Sequence, residues 1–379
     1  MFESVVGNKK TVEYLLSSVD SSRLAHAQLF VGPEGIGLLQ IAISYAKYIL
    51  CNAKNVENLD CEKCQNKVNQ LSHPDIHYVF PVTSTENVKS HPVSDNFLKE
   101  WKEFVNLHPY GSLQDWYLHL GVEKKQGQIG VDEALEIVKK LSLKSYEGGY
   151  KVMIIWMADK MNTATSNKIL KILEEPPQKT IFLLITEKLE DIISTIKSRC
   201  QIIEFTKPEQ GEIENLLKAK GITDTLSKKY AHLAQGDINK ALKLVNNEKD
   251  EKIYEEWFIK WVRFAFKAKG NAASVIDLIN WSEEVASYGR EVQKQFLHYC
   301  IEFFRQALLE NYTANNLVYL DEELEGFELK KFAPFVNGEN INDIFKEISD
   351  AIYHIERNGN GKIILTDLSI KLTRLIHKK

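Results

Sequence analysis

The sequence predicts an α/β fold, a parallel sheet covered by helices, followed by a small helical region and then a larger one. Three observations predict it. Short apolar runs rich in Val, Ile and Phe alternate with helical patterns as far as Phe205. The runs lack the polar–apolar alternation of a half-exposed strand, so they fit strands buried on both faces. Beyond Lys207-Pro208, helical patterns are almost all that remains. Parallel strands need a long crossover, usually a helix, so strand–helix alternation selects the parallel sheet.

The strands read in order as AQLFV (27–31), IHYVFPV (76–82), KVMIIWMA (151–158), TIFLLIT (180–186) and QIIEF (201–205). LLQIAISYAKYIL follows the first with helical periodicity, VDEALEIVKKLSLKS precedes the third, and NTATSNKILKILEE follows it. Pro176-Pro177 stops that last helix, because a proline disfavours helical geometry at its predecessor. Residues 83–128 are aromatic-rich and irregular, and read as an insertion in a first domain spanning 1–207. EIENLLKAK, LSKKYAHLAQG and INKALKLVNN make a small bundle over 208–247. The third region, 248–379, opens with KIYEEWFIKWVRFAFKAKG. There Trp257, Trp261 and Ala265 recur four residues apart, as do Tyr254, Phe258 and Val262, giving a wide apolar stripe suited to an internal core. In the turn RNGNGK the asparagines and glycines suit a left-handed connection between the last two helices.

A chain of 379 residues exceeds one hydrophobic core, so two or three domains are expected. Forty-eight basic against 52 acidic residues give a net charge of −4, which disfavours a non-specific nucleic-acid coat. MFESVVGNKKTVEYLL lacks the basic and apolar regions of a signal peptide, and no apolar run is long enough to span a membrane. Five scattered cysteines suit a reduced cytoplasm. A cytoplasmic protein without membrane contact is expected.

GPEGIGLLQ, directly after the first strand, raises the functional question. Gly32 and Gly37 fit the phosphate loop G-x-x-x-x-G-K-[ST], with Gly35 between them, but Leu38 and Leu39 occupy the Lys and Ser/Thr positions. Leucine offers neither a cation for the β- and γ-phosphates nor a hydroxyl for Mg²⁺. At the end of the third strand, where an ATPase carries an acidic pair, stand Trp156 and Met157; the following Asp159 reads as a helix-opening acid. Ser198-Arg199-Cys200 precedes the last strand, an arginine that on its own fits a surface ion pair and a cysteine that fits a packing residue.

HAQLFVGPEGIG, YKVMIIWMADKMN, KILKILEEPP, TIFLLIT and TIKSRC, in this order and spacing, resemble the clamp-loader ATPases of bacterial DNA replication, the loader of DNA polymerase III. The resemblance covers about residues 4–247 with specific motifs and continues at helix level to 379. It implies an AAA+ domain, a three-helix lid and a helical collar joining five subunits in a ring. It implies that Leu38, Trp156 and Asn239, the last at the place of a lid arginine, each remove a contribution to ATP use. By the same resemblance Arg199, supported by Ser198 and Cys200, is an arginine finger directed to ATP bound by a neighbour. The implied partners are the motor subunits and a delta-type subunit of the ring, the sliding clamp and primer-template DNA.

The family often carries a four-cysteine zinc module. Here Cys51, Cys61 and Cys64 supply three thiolates, fewer than a closed structural site needs, with His73 nearby. Lys139, Lys140 and Lys144 could face a phosphate backbone or form a solvated basic face. Thr163, Thr165 and Ser166 could donate to phosphate or cap a helix. Two rival functions stay open: an active AAA+ motor with an atypical loop, and a stand-alone DNA-binding mediator.

Overall fold

The computed structural model describes residues 5–52, 61–122, 125–146, 149–246, 248–314, 323–324 and 327–378. The chain divides into two compact units, Met1–Val245 and Asn246–Lys379.

In the first unit the elements run α1 (Lys9–Asp20), β1 (Ala27–Val31), α2 (Leu38–Cys51), α3 (Cys61–Asn69), β2 (Ile76–Val79), α4 (Leu98–Leu107), α5 (Leu113–His119), α6 (Val131–Ser142) and β3 (Lys151–Ile155). They continue with α7 (Thr163–Glu174), β4 (Thr180–Thr186), α8 (Ser194–Lys197), β5 (Gln201–Glu204), α9 (Gln210–Ala219), α10 (Asp224–Ala234) and α11 (Ile238–Asn246). The five strands form one parallel sheet in the order β2-β3-β4-β1-β5. Successive side chains of a strand point to opposite faces, and both faces here are covered. Leu29 packs with Ile137, Ile169 and Phe182 on one side, while Phe30 packs with Ile41, Tyr45 and Ile154 on the other. That double burial is why β1, β3 and β4 are written as predominantly apolar runs, with even the polar Gln28 and Lys151 buried.

Two expectations need correction. QIIEF is not buried on both faces: β5 is the sheet's edge, and Gln201, Ile202 and Glu204 are exposed. Its single neighbour, β1, leaves one side of the strand without cover. The insertion is also more regular than expected, since it contains α4 and α5. Both are short amphipathic helices, and Ser112 opens α5 with a capping box, its hydroxyl accepting from the Asp115 amide while the Asp115 carboxylate accepts from the Ser112 amide.

The second unit holds α12 (Glu248–Ala268), α13 (Ala272–Ala286), α14 (Arg290–Asn311), the short antiparallel strands β6 (Glu323–Leu324) and β7 (Phe327–Glu328), α15 (Leu329–Phe332), α16 (Ile341–Glu356) and α17 (Gly361–Leu375). Trp257 and Trp261 lie in its core. The Trp261 ring stacks on Trp281 with centroids 5.1 Å apart, and its indole donates to Ser369 Oγ at 2.8 Å. In the RNGNGK turn the left-handed residue is Asn358 (φ 66°), and Asn360 caps α17 by accepting from the Ile363 amide. Among the described residues no helix is long and apolar enough to cross a membrane.

Candidate functional site

The glycine loop joins the carboxyl end of β1 to α2, the position where open parallel sheets bind ligands. Gly37 (φ 82°) is the N-cap of α2 and provides no side-chain cap. A helix start of this kind offers backbone N–H groups to an anion, but protein already occupies the approach. A Cβ built on Gly37 would stand 2.7 Å from Cδ1 of Tyr110, whose ring lies against the loop. On Gly35 (φ 78°) an added Cβ would collide with the Asp237 carboxylate. The Gly35 carbonyl accepts from the Ile238 and Asn239 amides at 3.0 and 3.3 Å, so the loop takes up the otherwise orphan first donors of α11. Between the loop, Tyr110, Trp156 and Glu187 remains a cavity of about 20 Å³, room for roughly one water molecule.

The end of β3 is equally filled. Leu38, Leu39, Trp156 and Met157 are all buried, in one apolar cluster with Trp101, Phe104 and Trp116 of the insertion. The Trp156 ring centroid lies 5.2 Å from that of Trp101, which stacks on Phe80 at 4.0 Å. Trp116 meets Trp101 edge-on at 5.3 Å and donates from its indole to the Pro81 carbonyl at 2.9 Å. Met157 holds a left-handed backbone (φ 54°), uncommon for a residue other than glycine. An indole and a thioether, Trp156 and Met157, thus stand where the sequence motif would place a metal-binding acidic pair.

The charges nearby have the wrong sign for a phosphate. Burial, reinforced by Glu34, Asp159 and Asp237, pushes the Glu187 carboxyl up to about 7, with Lys160 opposing. Asp159 is the middle residue of a short helical turn, Ala158–Lys160, whose N-cap is Met157. Its carboxylate accepts from the Thr186 hydroxyl at 2.9 Å and pairs with Lys160 at 2.8 Å.

Asp115 ties the insertion to the helices after β5. Its carboxylate accepts from the Ser112 amide at 2.9 Å, from the Asn239 amide group at 2.7 Å, and from Lys243, also at 2.7 Å. Burial alone would raise this carboxyl, but the bonds from Lys243, Ser112 and Asn239 outweigh it and hold the group below the usual range. Asn239 is therefore engaged with a carboxylate of its own chain.

Arg199 lies at the other end of the sheet. It precedes β5, whose Gln201 pairs with Gln28 near the start of β1, whereas the glycine loop begins after Val31. Four residues of strand, roughly 13 Å, separate the two ends along β1 alone. The Arg199 side chain is 33% exposed and pairs with Glu174, the last residue of α7. Nε donates to Glu174 Oε1 at 2.7 Å, the second terminal nitrogen reaches the same oxygen, and the first donates to the Thr195 carbonyl at 2.9 Å. Ser198 is exposed, and its hydroxyl accepts from the same arginine. Burial pushes the Cys200 thiol up to about 11, which makes it a poor nucleophile.

The remaining candidates disperse. Cys51 and Cys64 bring their sulfurs to 3.4 Å, while the side chain of Cys61 lies outside the described residues. His73 is buried and accepts from the Asp75 amide through Nδ1. Among the described residues no three His, Cys, Asp or Glu side chains gather as a metal site. Lys139 pairs with Glu136 and Lys140 with Asp95, whereas Lys144 is exposed. Asn162 rather than Thr163 caps α7; Thr165 and Ser166 are buried, with the Thr165 hydroxyl bonded to Ile129 and Asn162. Sequence reading missed Tyr110 and Asp115. The pattern Ser112-x-x-Asp115 was the available signal for a helix start inside the insertion.

A parallel sheet in this strand order, a glycine loop at its carboxyl edge and helices packed against that loop define an AAA+ nucleotide-binding fold of the clamp-loader class. Residues 7–209 match the family model described as DNA polymerase III, delta subunit, and the chain belongs to this clamp-loader family. It is 28% identical over 241 residues to the DNA polymerase III subunit delta′ of Bacillus subtilis (strain 168), covering 63% of this chain and 59% of that protein. It is 36% identical over 100 residues to the delta′ subunit of Escherichia coli (strain K12), 26% of this chain and 30% of that one. The DNA polymerase III subunit tau of Bacillus subtilis is 27% identical over 208 residues, 54% of this chain and 29% of tau. The chain thus spans less than two thirds of the length of each of these relatives.

Proposed function

We propose that this chain is a delta-prime-type clamp-loader subunit that does not hydrolyse ATP and lends Arg199 to the ATP of an adjacent motor subunit. The observation that carries this reading is the division of the sheet. Its carboxyl end, the place for a nucleotide, is filled by Leu38, Tyr110 and Trp156, while the half-buried Arg199 stands at the opposite end. A guanidinium so placed cannot serve its own loop, and an arginine supplied in trans contributes about 10³–10⁵ in rate at the phosphoryl group it meets. In this reading residues 208–247 form the lid and 248–379 the collar of a five-membered ring that also contains motor subunits and a delta-type subunit. The ring opens the sliding clamp and places it on primer-template DNA, in the cytoplasm. Relatives bearing the names delta′ and tau support the setting.

Two measurements test it. Titrating the isolated chain with a fluorescent ATP analogue is expected to give no saturable binding in the micromolar range. Binding with turnover would favour the rival reading, an active motor with an atypical loop. In the complex reconstituted with its motor subunits, Arg199→Ala is expected to leave assembly intact and to abolish one site's share of the clamp- and DNA-stimulated hydrolysis. Unchanged hydrolysis removes the proposed role of Arg199.

A further inference from the structure

The Arg199 guanidinium is not poised outward. It has five N–H donors, and most are spent within its own chain. Nε and one terminal nitrogen converge on a single oxygen of Glu174, and the other terminal nitrogen is divided between Thr195 and Ser198. One N–H is left without a partner among the described residues. Glu174 is the last residue of α7, where the helix dipole is negative and a carboxylate is disfavoured unless a cation joins it. Arg199 is the cation that does so, 25 residues further along the chain.

We infer that Glu174 is a positioning residue for Arg199, a reversible catch that holds the guanidinium against α7 until the triphosphate of an adjacent subunit draws it away. The inference rests on the trans role proposed for Arg199 and adds its regulation. Two features make the catch releasable. The side chains of Arg199 and Glu174 are 33% and 46% exposed, so the pair is solvated and weak. A magnesium-bound triphosphate carries more negative charge than one carboxylate and accepts several N–H bonds from a guanidinium. The same arginine therefore has two acceptors in competition, one of its own chain and one of a neighbour. Hydrolysis at that interface is restrained whenever the neighbour's phosphate is out of reach.

The test is made in the complex reconstituted with its motor subunits, using ATP with and without clamp and primed DNA. Glu174→Gln keeps the shape of the side chain and removes its charge. It is expected to raise the unstimulated kcat by up to about fivefold, the factor set by the strength of an exposed ion pair. KM for ATP and the fully stimulated rate are expected to stay the same, so the ratio of stimulated to unstimulated hydrolysis falls. The gain is expected to shrink in high salt, which weakens the pair in the unsubstituted protein as well. It is also expected to vanish in the double variant Glu174→Gln/Arg199→Ala. An unstimulated rate that is unchanged or lower in Glu174→Gln overturns the catch, as does a gain that persists in the double variant. If Arg199→Ala alone changes nothing, the trans role itself fails, an outcome separate from the behaviour of Glu174→Gln.

Discussion

Replacing Asp115 by Ala tests whether the insertion fastens the helices that close over the glycine loop. The carboxylate receives the Ser112 amide at 2.9 Å, the Ser112 hydroxyl at 3.0 Å, Asn239 Nδ2 at 2.7 Å and Lys243 Nζ at 2.7 Å. Lys243 is half exposed and returns to water at little cost, so its share is small. Asn239 is buried, and leaving its amide without an acceptor costs about 1–3 kcal/mol. The Ser112 amide, also buried, loses its acceptor in the capping box, which adds about 1 kcal/mol. The expected total is roughly 2–4 kcal/mol, or a factor of about 30–1,000 in the local opening equilibrium. Hydrogen exchange of the α11 amides, Ile238 to Asn246, reads that factor directly, because it reports local opening separately from unfolding of the second unit. The pH dependence has a definite sign. The Asp115 carboxyl sits below its ordinary range in the folded chain, so its stabilisation is complete above that range and is lost as pH falls through the folded value. The difference between the two proteins should therefore be full at neutral pH and shrink in acid below about pH 4. Exchange in α11 that is unchanged at pH 7 would refute the proposed fastening.

Two further predictions concern single buried groups. Glu187→Gln should stabilise the chain in alkali: a carboxyl raised from its ordinary 4.5 to about 7 contributes stability at low pH that is lost as pH rises through 7. The shift corresponds to at most about 3 kcal/mol, less where water screens Glu34; denaturation at pH 5 and pH 8 should show the variant's advantage growing, and an advantage independent of pH would contradict the burial of the carboxyl and the repulsion from Glu34, Asp159 and Asp237. Trp261→Ala should destabilise the second unit by about 3–5 kcal/mol, since it empties the face of Trp281 and removes the donor to Ser369; denaturation followed by circular dichroism checks it, and a loss below about 1 kcal/mol would place the ring outside the core.

How much of this was legible in the sequence depends on the range of the contacts. AQLFV and TIFLLIT could be read as strands because burial on both faces is written locally, in predominantly apolar runs without polar alternation. QIIEF looked the same yet forms an edge, since which strand lies outermost depends on sheet order and not on the run itself. The absence of lysine at Leu38 and of acid at Trp156 was equally plain, because those positions are fixed by motif spacing. What replaces the missing chemistry was not readable. Tyr110 meets a glycine far back in the chain, and Asp115 meets Asn239 across 124 residues. No local period encodes such pairs. The insertion looked irregular because α4 and α5 are too short to show a sustained helical repeat, although the capping box of α5 was present throughout.

The glycines of the loop can now be explained without a nucleotide. Gly35 and Gly37 hold left-handed backbones, at φ values of 78° and 82°. Each faces a side chain that leaves no space for a Cβ: Asp237 in front of Gly35, and Tyr110 in front of Gly37. Two constraints, left-handed backbone and close approach, thus act at the same residues, and only glycine satisfies both without strain. The elements that approach are the insertion and the segment leading into α11, which Asp115 joins to each other through Asn239 and Lys243. Loop, insertion and α11 therefore form a closed circuit of contacts through Tyr110, Asp237 and Asp115. The glycine turn acts as a packing joint, and the side chains that lean on it are sufficient to require its geometry.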